Sequence, residues 1–200
     1  EILPSDWSSD VCSSDLRPIE IKTPLDDEVI ARLAVGDSVC LSGVMYTARD
    51  AAHKRLVEML SSGEALPFDF AGQVVYYAGP SPARPGAPVG SIGPTTSGRM
   101  DAYAPFLMER GLRVMIGKGL RNEAVKSAIV RHGGLYLAAI GGAAALIAQS
   151  VKRSDVVAFP ELGTEAIRRL EVENFPAVVA IDSSGGDIYD RVRGTAPGAL

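Results

Sequence analysis

Metal-binding side chains are scarce in this sequence. Two cysteines, Cys12 and Cys40, and two histidines, His53 and His132, serve 200 residues. No disulfide framework is available from them, and no cluster of protein ligands for a metal stands out. Long apolar runs are missing too. The longest mostly apolar stretch, Leu135 to Ala148, has 14 residues with two glycines inside it. That falls short of the roughly 20 that span a bilayer, so no membrane is expected as a partner. An excess of either charge is also lacking. Lys+Arg number 20 against 24 Asp+Glu, but four of the acids (Glu1, Asp6, Asp10 and Asp15) fall in the first 16 residues, and the remainder balance. No basic footprint for nucleic acid is therefore present. A site for an anion has to come from local clustering of cations, not from the overall field. What remains, 46% apolar and 22% charged, is the make-up of one ordinary folded domain or two small ones.

Residues 1–16 stand apart. EILPSDWSSDVCSSDL has no helical or strand period, and it lacks the basic start and apolar stretch of a signal peptide. Asp10-Val-Cys-Ser-Ser-Asp-Leu16 resembles the translation of a sequencing-library adapter, which makes the segment a non-native leader; the alternative is a disordered native one. Cys12 is then accidental, and Cys40, inside Val39-Cys40-Leu41, reads as a buried small hydrophobe. The folded unit is expected over 17–193, with 194–200 a loose tail.

Along that unit strands and helices alternate. Ile19–Thr23, Ser38–Thr47, residues 72–78, Leu112–Ile116, Leu135–Ile140, Val156–Phe159 and Ala177–Asp182 read as strands. Pro24–Ala34, Arg49–Ser61, Asp101–Arg110, Asn122–His132 and Ala143–Val151 read as helices, with a helical turn at Glu165–Leu170. The later strands are apolar on both faces, the pattern of buried parallel strands. An α/β domain of three layers is the expectation. Residues 79–98, rich in glycine, proline and serine, form a long irregular stretch of the kind that is functional or disordered.

Four places combine polar groups with backbone freedom. Thr47-Ala-Arg-Asp-Ala-Ala-His-Lys-Arg55 lies at a strand-to-helix junction, where α/β sheets bind ligands, and Arg49 and His53 share a helical face there. The plain alternative is a solvated first turn with His53 an ordinary surface residue. In Gly93-Pro-Thr-Thr-Ser-Gly-Arg-Met100 the glycines free the backbone and the hydroxyls suit an anion. Arg99 can grip a carboxylate there by two parallel hydrogen bonds. Otherwise this is a linker whose hydroxyls cap a helix. Gly117-Lys118-Gly119 exposes an ammonium and nearby amides after a buried strand, or is only a basic turn. Gly141-Gly142 opens an alanine-rich helix whose N-terminus attracts anions, or simply lets that helix pack closely. Glu161, Glu165 and Asp182 are candidate acid–base groups that no spacing singles out.

Taken in order, GD..CLSG, TARDAAHKR, LPFD, YYAGP, GPTTSGRMD, GKG, GGAAALIA, ELGTEAI and FPAVVAIDS resemble one family. It is the C-terminal domain, or separate β subunit, of the class I (iron–sulfur) fumarate hydratases and the related L-tartrate dehydratases. The likeness covers nearly all of residues 18–190, and GPTTSGRMD and TARDAAHKR are its specific pieces. The resemblance implies a swivelling β/β/α domain that closes over an active site carried mainly by a partner α subunit or domain. It implies a [4Fe–4S] cluster held by three cysteines of that partner and not by this chain, a small dicarboxylate substrate, and a hetero-oligomer. Arg49, Arg99 and Lys118 match the family's carboxylate-binding cations. Thr95 and Thr96 match its paired threonines, Thr95 with a role in proton transfer, and His53 belongs to the Arg49 motif as a touching or supporting residue. The activity so implied is that of a hydro-lyase of the tricarboxylic acid cycle, the reversible hydration of fumarate to (S)-malate. Dehydration of L-tartrate or another dicarboxylate is the alternative, and a non-catalytic anion-binding module is the alternative of another class. The family's oxygen-sensitive cluster and the lack of an export signal point to the cytoplasm.

Overall fold

The computed structural model describes residues 17–139 and 144–193, with side chains to residue 190. The expected leader, the expected tail and Gly141-Gly142 lie outside the described residues. A sheet of seven strands is formed by β1 (Ile19–Lys22), β2 (Ser38–Thr47), β3 (Val74–Tyr76), β4 (Val114–Gly117), β5 (Leu135–Ala138), β6 (Val151–Ala158) and β7 (Ile167–Ile181). The helices are α1 (Asp27–Arg32), α2 (Asp50–Ser61), α3 (Ala104–Met108), α4 (Glu123–His132), α5 (Ala144–Ser150) and α6 (Ile188–Arg193).

Strands β1 to β5 lie side by side in chain order and run parallel. β7 runs antiparallel to β5 and also to β2, with Ser38 facing Val178 and Thr47 facing Arg168. The pairings therefore close a circuit, β2–β3–β4–β5–β7 and back to β2. β1 pairs with the first half of β2, and β6 pairs antiparallel with the first half of β7.

Closure explains the apolar strands. Side chains alternate across a strand. Val74, Tyr76, Val114, Ile116, Leu135 and Leu137 enter one core with Leu41, Met45, Phe175 and Val179. Val75, Tyr77, Met115 and Tyr136 enter a second core against Ala52 and Leu56 of α2, Leu107 of α3 and Ile129 of α4. Each of β3, β4 and β5 is thus buried on both faces.

Several expected elements are shorter or different. α1 starts late because Asp26 caps it, its carboxylate accepting the Val29 amide at 2.7 Å. The helix expected over Asp101–Arg110 is cut to α3, which starts beside Pro105, and a 3₁₀ turn, Ser97–Met100, precedes it. Asp101 is turned away to accept from Arg121 and the Asn122 amide. The largest departure is at Glu165–Leu170. Instead of a helical turn, a 3₁₀ segment (Pro160–Glu165) leads straight into β7. The charged run hid the strand: Ile167, Leu170 and Val172 are buried, while Arg169 and Glu171 pair at 2.7 Å on the half-exposed face. β6 begins at Val151, earlier than expected, and Ala177–Ile181 is the antiparallel end of β7, not a parallel strand. Cys40 is half-buried, not fully buried, opposite Glu20 of β1. No helix among the described residues is long and apolar enough to cross a membrane.

One glycine carries the β2 irregularity. Gly43 has φ +122°, and the β2–β7 register shifts between Leu41 and Gly43. A Cβ there would stand 2.9 Å from the Thr23 carbonyl oxygen. Gly43→Ala is expected to destabilise the fold by about 3 kcal/mol through this clash and the strained backbone, read as a lower urea midpoint at unchanged slope. An unchanged midpoint would show that the Thr23 segment yields freely.

Candidate functional site

β2, β3 and β4 are adjacent and parallel, so the segments that leave their carboxyl ends emerge on one edge. Arg49 follows β2 in extended backbone as the residue preceding α2, and its side chain makes no cap hydrogen bond. The cap comes from elsewhere: Glu165 Oε2 accepts the Ala51 amide at 3.0 Å, and Glu165 Oε1 lies 3.2 Å from Arg49 Nη2. A carboxylate at a helix N-terminus satisfies a free amide and complements the dipole. Gly79, beyond β3, makes room for this arginine. A Cβ on it would be 3.2 Å from Arg49 Nη1 and 2.6 Å from the Thr164 carbonyl oxygen.

The loop after β3 returns to the same edge. The Thr95 amide donates to the Tyr77 carbonyl at 2.6 Å, the Lys118 amide to Thr95 at 3.3 Å, and the Ser97 amide to Lys118 at 2.9 Å. Thr96 and Lys118 form a parallel bridge. Arg99 reaches across to Asp50, Nε donating to Oδ1 at 2.8 Å, while the other oxygen of Asp50 lies 3.7 Å from Arg49 Nη2. Asp50 is thus held between the two guanidiniums. Thr96, Arg99 and Lys118 are exposed, Thr95 and Arg49 half-buried. Arg49, Thr95, Thr96, Arg99 and Lys118 consequently share one edge of the sheet. A hollow of about 380 Å³ lies beside them, lined by Pro80, Pro82, Pro88, Pro160, Thr164 and Arg168 and by none of these five.

Asp50 and Glu165 are the partners that the sequence did not reveal. Asp50 stood in view inside TARDAAHKR. Glu165, 114 positions from Ala51, was one of three candidate acid–base groups, and nothing in its spacing pointed to Arg49. Of the other carboxylates, Glu161 lies only 3.9 Å from exposed Arg55. Asp182 closes a turn, accepting from the amides of Val35, Ser184 and Gly186 and the Ser184 hydroxyl. Burial pushes its pKa up, but these donors outweigh burial and hold it below the usual carboxylate value.

His53 is not a surface residue. It is fully buried, its ring edge-on to Tyr77 at 5.1 Å, and Nδ1 lies 2.9 Å from the Arg49 carbonyl oxygen. A carbonyl only accepts, so Nδ1 carries the proton and Nε2 is bare; Nε2 has no partner among the described residues. Burial, the largest influence, pushes the imidazole from 6.5 to about 4. The Arg49 carbonyl opposes that shift and the Arg121 charge adds to it. His53 is therefore a neutral prop under the Arg49 backbone. Cys40 is the one free cysteine among the described residues, and no three His, Cys, Asp or Glu side chains converge there as a metal site. These residues do not fit a cluster that needs three thiolates.

The chain matches the family model described as Fumarase C-terminus over residues 1–192. It is 42% identical to Fumarate hydratase 2 of Leishmania major over 177 residues, 86% of this chain and 31% of that protein. It is 41% identical to the anaerobic class I fumarate hydratase of Escherichia coli (strain K12) over 179 residues, 87% of this chain and 32% of the other. A protein of Methanocaldococcus jannaschii, provisionally named L(+)-tartrate dehydratase subunit beta, is 46% identical over 169 residues, 82% of this chain and 87% of its own length. The chain thus spans about a third of the length of the fumarate hydratases it matches.

His53 sets a pH dependence with a definite sign. Unfolded, the imidazole takes a proton below pH 6.5; folded, it resists down to about 4. The unfolded chain binds the extra proton in that window, so stability present above pH 6.5 is lost as pH falls towards 4. The loss assigned to His53 is about 3 kcal/mol. Denaturation of wild type and His53→Asn at pH 7 and pH 4 reads it as the difference between the two proteins. Equal losses in both would remove the buried neutral imidazole as the cause.

Proposed function

The chain belongs to the fumarase C-terminus family, and we propose that it is the β subunit, or the C-terminal part, of a class I fumarate hydratase. It hydrates fumarate reversibly to (S)-malate together with a cluster-bearing α partner. One observation carries the reading: Arg49, Thr95, Thr96, Arg99 and Lys118 leave adjacent parallel strands on one edge, tied together through Asp50 and the Thr96–Lys118 bridge.

The chemistry fits those groups. Removing a proton from a carbon next to a carboxylate builds further negative charge there, and fixed cations favour that charge. Lys118 is exposed with no ion pair among the described residues. Exposed Lys118 and Arg99 offer donors to a dicarboxylate, while Arg49 Nε is unpaired among the described residues but buried. Thr95 Oγ1 is the proton-transfer atom; a threonine hydroxyl is a weak base alone, and Lys118, whose backbone amide donates to the Thr95 carbonyl at 3.3 Å, brings a cation to the same segment. The domain is of the three-layer swivelling β/β/α kind, its cation-bearing edge open until the partner covers it. The [4Fe–4S] cluster sits on that partner, and this chain contributes binding, charge stabilisation and a proton. A cytoplasmic location follows from the cluster's sensitivity to oxygen.

A β subunit of an L-tartrate dehydratase is the second reading, favoured by the Methanocaldococcus relative, 87% of which is matched. Anaerobic reconstitution with a cluster-loaded α partner, assayed on fumarate, (S)-malate and L-tartrate, separates the two. Arg99→Ala should lower kcat/KM by about 100- to 1,000-fold, the cost of one lost charge-stabilising donor, with circular dichroism and partner binding unchanged. Full activity in Arg99→Ala would point to an anion-binding module, and no turnover of any of the three substrates would overturn both enzyme readings.

A further inference from the structure

The two backbone segments that display Thr95, Thr96 and Lys118 touch each other through few main-chain hydrogen bonds, one of them long at 3.3 Å. Beneath them lies a buried polar layer that no sequence pattern announces. Tyr136 of β5 points into the helix-side core, and its hydroxyl lies 2.9 Å from Ser97 Oγ and 2.9 Å from the Gly119 carbonyl oxygen. A phenol has one proton and a carbonyl only accepts, so Tyr136 donates to Gly119 and takes the proton of Ser97. Ser97 is fully buried against Gly117, where a Cβ would collide with its Oγ. Ser97 follows Thr96, and Gly119 follows Lys118, so one hydroxyl ties both segments.

A second tie runs alongside. The Arg121 side chain is wholly buried; its Nε donates to Asp101 Oδ1 at 2.6 Å, and Asp101 Oδ2 accepts the Asn122 amide at 2.7 Å. Its guanidinium lies over the Tyr136 ring at 5.0 Å and the Tyr77 ring at 5.3 Å. Tyr77 in turn holds the Thr95 amide. Burying a guanidinium is costly unless it is paired, and here the pair with Asp101 joins the chain after Arg99 to the chain after Lys118.

We propose that Tyr136–Ser97 and Arg121–Asp101 form a clamp that fixes the Thr95–Arg99 segment against the Gly117–Gly119 turn. Tyr136 and Arg121 are positioning residues for the dicarboxylate site, an inference that rests on the proposed function. Tyr136→Phe tests it by removing only the hydroxyl, and Ser97→Ala removes the other half of the same tie. Hydrogen–deuterium exchange of the full chain should show the Ser97 and Lys118 amides exchanging about tenfold faster in either variant, the loss of one buried hydrogen bond, with β2 and β7 unchanged. In the reconstituted complex, KM for fumarate should rise about tenfold with a smaller change in kcat, and the double variant should add little to either single one. Unchanged exchange at both amides overturns the clamp, as does faster exchange throughout the sheet. Faster local exchange with unchanged KM in an active complex overturns the positioning role. If the wild-type complex turns over no substrate, the functional reading fails, and the exchange measurement, which needs no substrate, still decides the clamp.

Discussion

The antiparallel pairing of β7 with β2 decides where charges meet in this domain. Thr47, the last residue of β2, faces Arg168 near the start of β7. The chain just after one strand therefore lies beside the chain just before the other. Glu165 meets Arg49 and Ala51 for that reason, and its carboxylate serves as the missing cap of α2 and as partner of Arg49 at once. A one-residue slip of β7 would turn every side chain over, moving Leu170 and Val172 out of the core they share and withdrawing Glu165. The apolar face of β7 and the orientation of Arg49 are thus specified together.

Three cations and two acids share the edge. Half-exposed ion pairs contribute little to stability, so Asp50 and Glu165 matter through orientation. Each fixes a long, rotamer-rich guanidinium in one place before any ligand arrives, which removes part of the ordering cost from binding. His53 acts in the same sense from below. Its Nδ1–H reaches the carbonyl oxygen of Arg49, so backbone and head of that arginine are held from opposite directions. Gly79 completes the arrangement by leaving the space that the arginine crosses.

Local features were legible in the sequence where local chemistry produces them. β2 (Ser38–Thr47) alternates and was read to the residue. α4 announced itself by Asn122, which caps it at Val125, and by Gly133 in the left-handed region. The glycine-framed threonines and Lys118 drew notice because small residues surround polar ones there, a pattern that a capping linker or a basic turn produces as well. What could not be read was set by register. β7 carries Arg168, Arg169, Glu171 and Glu173 in its first half, a helix-like charge pattern whose strand character comes from pairing with β2 and β6. The alternative of a surface His53 fails because the turn of α2 places it with Ala52 and Leu56 on the inner side, while Lys54 and Arg55 stay exposed. Ser97 and Tyr136, 39 positions apart, meet only because β4 and β5 are neighbours.

The open edge also limits what these cations can do unaided. An ion pair in free contact with water contributes about 1 kcal/mol or less, and Lys118 and Arg99 are exposed. Against a dicarboxylate they would have to displace water and, at Arg99, compete with Asp50 already bonded at 2.8 Å. Excluding water changes the balance, because attraction between fixed charges grows steeply as the local dielectric falls. The same cover would make the Asp50 and Glu165 carboxylates poorer company for a dianion, since like charges repel more strongly there. Under the proposed function, a ligand that brings two carboxylates would be matched by all three cations together once water is excluded, so that affinity and geometric selectivity would arise in one step. In the proposed function the edge is one half of a site, and a covering surface would complete its electrostatics.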